Sequence, residues 1–593
     1  MWQKLPDGQN AYYRYDQTDH AKTARVVHHW LDNGQTYHFD YHTDEHGIHH
    51  STVTEQQGDE LERTRHYQYN DDYYLTAFTD PNGQQTRYTY DDLNRITAIL
   101  KPNDSRTLMT YQGTQLESVA VQTTISPLTK LPVYRETHYQ YDNQGNLTGI
   151  IDALGNQRSF HYNERHDVIT SIDAMGNQTH FEYDDNGNMI RQTLANGSHY
   201  QFDYNELGQM IAQTDCSGPT TQYQYDNMGR LAVVTDALGQ QTHYYYDQAQ
   251  TLQTQLNTDN PQASSNEAAV IPNPQLTTAP TQAVYSDGHQ EHFIYDEHNR
   301  LLQYRNNAGQ VTHYHYTEDG LPSERTSANG SRLSYQYDAL RRLSRLTNEN
   351  GEHWTFTYDK ADNLISETRF DGYTSHYEYD VMGNLIHQTD NSDLSVQQRY
   401  AQRHTYLERD LIGQLTHKHC LDYEHDEAAK LHSYSNPFGQ PISNQDFDLR
   451  PKPKPKQHKH STHFNYDSLG RLIQAISPDA TTTLEYDAVG NLIQESLLRH
   501  HADAIISSNP TTQLSSQRGD NQQFDDEYDD TILEQTLTHE YDALGNRITT
   551  TLPDGKVIHQ LYYGSGHLYN QSLSYQQDGE EKTLELRHSE RDK

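Results

Sequence analysis

A tyrosine recurs every 21 residues from Tyr141 to Tyr246, through Tyr162, Tyr183, Tyr204 and Tyr225, and nothing else restricts the possible folds as tightly. Gly145, Gly187, Gly208 and Gly229 stand four residues after a tyrosine, and Gly155, Gly176, Gly197, Gly218 and Gly239 fourteen after one. An aromatic residue (Phe160, Phe181, Phe202, Tyr223, Tyr244) sits two before the next tyrosine. A fixed period in this range marks a stacked array, in which each unit buries its apolar face only against its neighbours. Such an array lengthens without splitting into separate cores, so 593 residues set no domain count.

The unit spells out its local structure. In Thr179-His180-Phe181-Glu182-Tyr183, residues i, i+2 and i+4 share a face, which predicts a β-strand. Asp142-Asn143-Gln144-Gly145 follows the turn rule, with an Asp that can bond its own backbone and a Gly free to adopt a left-handed conformation. Residues 146–151 supply a second strand, and Asp152-Ala153-Leu154-Gly155 a second turn. Each unit is therefore read as two antiparallel strands of roughly six or seven residues. Roughly sixteen to eighteen such units, side by side, exceed thirty strands, whereas open twisted sheets rarely pass about ten without curling. With no helical pattern and no second sheet to cover the aromatic face, the strip is expected to coil around an interior space. The predicted class is an all-β array of two-stranded repeats, a long spiralled antiparallel sheet forming part of a hollow shell.

Along the chain, residues 1–65 hold the phrase in ragged form and 66–248 hold it regularly. A polar stretch without periodicity, 249–283, reads as an inserted loop. The count returns over 284–390 with Tyr295, Tyr316, Tyr337, Tyr358 and Tyr379. Residues 391–550 carry degenerate units interrupted by Pro451-Lys452-Pro453-Lys454-Pro455-Lys456 and by a polar stretch from about Arg499 to Asp530. The expected repeat positions that build the sheet are the tyrosines named above with Asp142, Asp184 and Asp226 and the turn glycines Gly145, Gly187 and Gly229.

Composition narrows the function classes. A net charge of −39 opposes general binding to nucleic acid. Mean hydropathy of −1.04 leans towards disorder, but 47 tyrosines in register argue for a folded sheet in which the phenol ring buries area while its hydroxyl meets water or a partner. Cys216 and Cys420 have no paired spacing, so neither a disulfide framework nor a zinc ribbon is indicated. No apolar run reaches membrane-spanning length, and the first residues have no signal-peptide core.

The phrase Tyr-x-Tyr-Asp-x-x-Gly-Asn/Arg-Leu followed by Asp-x-x-Gly-x-x-Thr, clearest at residues 139–147 and 223–231, closely resembles the YD repeat of the RHS family of bacterial polymorphic toxins. Residues 551–593 look like the start of the later part of an RHS core. The resemblance implies a spiralled shell, related to toxin-complex C components and the teneurin YD shell, that encloses a C-terminal toxin, with type VI secretion as the implied route of interbacterial delivery. It also implies an enclosed toxin domain outside this chain and secretion-spike proteins as partners, and a protein that is cytoplasmic before delivery and then secreted without a signal peptide. Relative to the family pattern, no N-terminal loading domain is recognisable, and the chain stops before the self-cleaving core motif, so neither toxin nor protease is assigned here.

Other motifs reduce to structure. Asp80-Pro81-Asn82-Gly83 looks like a fragment of the family's cleavage motif, yet it falls at the place of an ordinary repeat turn. His417-x-His419-Cys420 with His425 has metal-ligand residue types, but 37 histidines make such clusters common by chance. No phosphate loop, His-Glu-x-x-His or Gly-x-Ser-x-Gly occurs. The expectation is a non-enzymatic chain without cofactor or metal; the alternatives are a cell-surface adhesion or carbohydrate-binding module, or an inactive truncated remnant.

Overall fold

The computed structural model describes residues 2–5, 10–16, 24–57, 61–246, 279–296, 298–391, 400–424, 457–500, 534–562, 568–577 and 580–588. Most of the polar stretch 249–283, the Pro-Lys run, most of the polar stretch beyond Arg499, His425 and residues 589–593 lie outside the described residues. Among the described residues every regular element is a strand; 44 strands form one antiparallel sheet, and there is no helix. No pairing joins its first strand, Trp2–Lys4, to its last, Glu580–His588, so the sheet is open among these residues. The strand number agrees with the more than thirty expected, and the ragged stretches also pair fully, as Gln35–Thr43 with His49–Gln57.

In a regular unit a six-residue strand ending on the tyrosine is followed by one of five residues, as Gln178–Tyr183 by Met189–Thr193 and Thr220–Tyr225 by Leu231–Thr235. Along Gln178–Tyr183 the residues alternate, with Gln178, His180 and Glu182 exposed and Thr179, Phe181 and Tyr183 half-buried. Only Ala11, Ala77, Phe202 and Ala283 are buried apolar residues among those described. The sheet is thus held by cross-strand pairs and backbone ladders rather than by a deep core.

The tyrosine hairpins of the regular units whose register is described carry a bulge. Gln140 faces Gly149, but Tyr141 faces Leu147, so Thr148 is skipped; the same shift occurs at Tyr162, Tyr204, Tyr225, Tyr316 and Tyr358. Between regular units the alternate hairpin has none: Gly149, Ile150 and Ile151 pair in even register with Ser159, Arg158 and Gln157. A bulge bends its strand and increases local twist. With one per 21 residues, always in the same hairpin of the unit, the ribbon cannot lie flat.

The chain divides into two compact units. The first comprises Met1–Met109, Tyr183–Arg191 and Tyr200–Gln398. In it the turn after the seventh strand touches the turn after the thirtieth, Asn82 Nδ2 donating to Asp359 Oδ2 at 2.9 Å. The 23 strands between them amount to about 110 Å of ribbon at ~4.8 Å per strand, so the ribbon returns on itself. The second unit comprises Thr110–Glu182, Gln192–His199 and Arg399–Lys593. There Arg135 Nη2 donates to Gln414 Oε1 at 3.4 Å, and Asp152, Asn156 and Ala174 share a cleft with Leu469, Arg471 and Val489. In both units, hairpin tips from one rim of the ribbon meet tips from the opposite rim of a later stretch.

Candidate functional site: the tyrosine register and the rims of the sheet

Tyr141, Tyr162, Tyr183, Tyr204, Tyr225, Tyr295, Tyr316, Tyr337, Tyr358 and Tyr379 each close a strand, and Tyr246 lies one residue past Gln241–Tyr245. Their hydroxyls are largely committed to the backbone. Tyr162 donates to the carbonyl of Leu147 at 2.7 Å, Tyr204 to Met189 at 3.0 Å, Tyr225 to Met210 at 2.8 Å and Tyr246 to Leu231 at 2.8 Å. The second block repeats the bond at 2.8 to 2.9 Å, from Tyr316, Tyr337, Tyr358 and Tyr379 to Leu301, Pro322, Leu343 and Leu364. The acceptor is always the first residue of the second strand in the preceding unit, 15 residues back. Each phenol therefore fastens its unit to the one before; it is not left free for water or a partner. Burial pushes the phenols of Tyr162, Tyr204, Tyr316 and Tyr358 above their ordinary pKa.

The same bond persists where the sequence looks degenerate. Tyr466 donates to the carbonyl of Leu415 and Tyr541 to that of Leu492, both at 2.8 Å, although 51 and 49 residues separate the partners. Gln457–Tyr466 pairs directly with Leu415–Glu424, so the sheet register continues across the intervening residues.

The aspartate after each tyrosine organises the turn. Asp142 Oδ1 accepts from the N–H groups of Gln144 and Asn146, and Oδ2 from Asn146 Nδ2, at 2.8 to 2.9 Å. Asp184 repeats this with Asn186 and Asn188, and Asp226 with Met228 and Arg230. These bonds hold the carboxyls of Asp142 and Asp184 below the usual range, led by the side-chain amides of Asn146 and Asn188, and that of Asp226, led by the Arg230 backbone N–H. Gly145, Gly187 and Gly229 have φ of +92°, +87° and +78°, the left-handed region a side chain resists. Where arginine follows the glycine position it binds its own aspartate and covers the next tyrosine: Arg230 lies 4.2 Å from the centre of the Tyr246 ring and Arg342 4.7 Å from that of Tyr358.

Side chains beyond the repeat consensus join distant turns. Glu55 is 2% exposed and accepts from Arg63 Nε at 2.6 Å, Arg65 Nη1 at 3.3 Å and the Tyr37 hydroxyl at 3.2 Å. Arg63 Nη1 then reaches both carboxylate oxygens of Asp362 at 2.8 Å, and Arg342 Nη1 meets the same carboxylate at 2.8 Å. Sequence reasoning missed this group. Asp362 stands at φ +73° in the turn position most units give to glycine, but Asn94, His166, Asn299 and Arg341 share that position, so the residue type alone does not mark the contact.

A second cleft, of about 720 Å³, includes Asp236, Asp287, Glu291, Tyr285 and Tyr304 in its lining. Tyr304 and Tyr285 both donate to Glu291, at 2.7 and 3.0 Å, and the Glu291 bond, with burial, pushes Tyr304 up to about 12. His417 and His419 share one face with Glu408, and His417 Nε2 lies 2.6 Å from His463 Nδ1, in hydrogen-bond contact. Cys420 takes the opposite face, 3.8 Å from Thr405 Oγ1. Among the described residues no group of three His, Cys, Asp or Glu is arranged to hold a metal ion.

Two family models match the chain. The teneurin YD-shell model covers residues 126–263, and the RHS repeat model covers 75–106, 295–332, 316–353, 342–374 and 358–393. Among solved structures, the crystal structure of TcdB2-TccC3 aligns with 99% of this chain and 34% of its own at 12% identity and a TM-score of 0.47. The same pair without its hypervariable C-terminal region aligns with 98% and 32% at 12% identity and 0.46. The Photorhabdus luminescens Tc holotoxin pore aligns with 98% and 33% at 13% identity and 0.43. This chain spans about a third of the length of those chains. No curated protein matches it in sequence.

Proposed function

Starting from a chain built of RHS/YD repeats, we propose that it is a non-enzymatic length of wall that encloses a toxic polypeptide until delivery between bacteria. The contact of Arg63 with Asp362 carries the reading, because it brings two stretches 299 residues apart into one seam. A single layer of sheet that meets itself rim to rim can bound a space without a second layer. The bulge in each tyrosine hairpin supplies the bend, and the phenol-to-carbonyl bonds fix successive units against one another. Because these hydroxyls are used within the sheet, confinement rather than tyrosine contact restrains the guest. The same commitment gives less support to an adhesive module that would use the tyrosines for glycans.

The partners under this reading are an enclosed toxin domain and the spike proteins of a type VI system, with the protein cytoplasmic before delivery and exported without a signal peptide. The test is limited proteolysis of the native gene product that contains this chain, with peptides followed by mass spectrometry. The guest is expected to survive while surface loops are cut, and to be degraded once denaturant opens the sheet. Degradation in the native protein as fast as that of the same polypeptide expressed alone would contradict the proposal.

A further inference from the structure

The seam of the first unit turns on a side chain in the left-handed turn position, which Asn94, Asn299 and Arg341 also hold in place of glycine in this unit. The turn 359–362 puts Asp362 in the left-handed position, where a side chain is strained relative to glycine. Arg341, one repeat earlier, also occupies that position with φ +65°, but it binds Asp319 of the neighbouring turn, Nη2 to the backbone carbonyl at 2.9 Å. Asp362 instead reaches across the seam. Both oxygens of its carboxylate accept from Nη1 of Arg63, which is itself anchored on the buried carboxylate of Glu55, and Oδ1 also accepts from Arg342 of the neighbouring turn. Asn82 adds a bond from its side-chain amide to the Asp359 carboxylate. Beside these contacts runs a cleft of about 590 Å³, lined by Phe78, Gln84 and Pro102 from the early stretch and by Ala361, Ile365 and Met382 from the later one. The two rims are therefore joined by polar contacts beside open space rather than by a packed apolar interface. The Asp362 side chain of the ion pair is 47% exposed, which leaves the pair open to screening by salt.

We propose that Asp362, Arg63 and Glu55 form a salt-sensitive latch that holds the rims of the first unit together and lets them part without unfolding the hairpins they join. The latch stands on this geometry alone; its use as an exit for a guest rests on the wall reading. Rim opening is read by hydrogen exchange of peptides covering residues 78–86 and 359–365 in the full chain, at low and high salt. Asp362→Gly removes the carboxylate while relieving the backbone, so the hairpin keeps its fold and exchange in peptide 78–86 rises about five-fold at low salt, as for loss of a pair worth ~1 kcal/mol. The variant also loses most of the salt dependence. Arg341→Gly, which removes a contact within one stretch of ribbon, leaves peptide 78–86 unchanged. Equal exchange in Asp362→Gly and the unaltered protein at both salt concentrations overturns the latch. Retention of the latch behaviour with a guest that is protease-sensitive throughout overturns the wall reading and leaves the latch standing.

Discussion

The seams within the two units are built differently. In the first, Arg63 carries a buried carboxylate on one side and a half-exposed one on the other. In the second, Arg135 meets the neutral amide of Gln414 at 3.4 Å, and the remaining cleft is lined by turn residues such as Asp152, Leu469 and Val489. The hairpins on either side follow one rule in both units. Asp142 in the second unit and Asp184 in the first make the same three bonds, and the hydroxyls of Tyr162 and Tyr204 reach the same carbonyl position. The repeat consensus thus fixes hairpins and their neighbours, whereas contact between distant stretches adds side chains outside it, Arg63 and Asp362, to a consensus turn residue, Asp359.

The largest expected difference between the seams lies in their arginines. Arg63→Ala takes the shortest charged donor from the buried Glu55, leaving Arg65 as its cationic partner, and should cost about 1.5 to 3 kcal/mol, against about 1 kcal/mol or less for Arg135→Ala; urea-unfolding midpoints of the two variants measure this. Similar losses would remove the distinction. Next comes high pH, which should erase rather than sharpen the contrast because both units carry the phenol bond. The raised pKa values of Tyr162 in the second unit and Tyr204, Tyr316 and Tyr358 in the first mean that the folded state favours the protonated phenol. Their stabilisation is complete below about 10, the unfolded value, and is lost as pH rises through the higher folded values. Unfolding midpoints taken at intervals between neutral pH and pH 12 should be level with respect to these groups at first and then fall; a level profile throughout would remove the phenol from the account.

The hairpins were legible in the sequence because their determinants are local. An Asp bonding the N–H groups two and four residues on, and a Gly with positive φ, leave the signature Asp-x-x-Gly within one turn. Coiling followed from strand number, though the bulge opposite each tyrosine, which produces the bend, did not show in the pattern. The acceptor of the tyrosine hydroxyl was hidden for another reason: it is a backbone carbonyl, so no residue type marks it. Arg63 and Asp362 were out of reach because pairing across 299 residues depends on how far the ribbon bends per unit, and the missing glycine at 362 marks nothing by itself, since Asn94, Asn299 and Arg341 share that turn position. In the region read as degenerate, Tyr466 and Tyr541 kept their bonds because longer connections alter spacing along the chain without altering register in the sheet.

Two smaller effects probe the hairpin itself. Gly187 has open space where a Cβ would stand, so Gly187→Val is penalised through backbone torsion alone, by about 1 to 2 kcal/mol. The loss is read from thermal unfolding and local hydrogen exchange; a valine at 187 without effect would contradict the turn geometry. Tyr358→Phe should cost about 1 kcal/mol by removing one hydroxyl bond to a partly buried carbonyl, with Tyr162→Phe in the second unit costing the same. Unequal losses in chemical denaturation would mean that the two units do not share one rule.

The return of the ribbon on itself is tested most directly by a distance. Nitroxide labels at Pro81 and Lys360, in a chain whose two cysteines are replaced by serine, report on the turns that carry Asn82 and Asp359. Pulsed electron paramagnetic resonance should give a narrow distribution at roughly 30 Å or less, against about 110 Å of ribbon for 23 strands at ~4.8 Å each. A broad distribution, or separation beyond the range of the method, would contradict the coil on which the proposed wall and its latch depend.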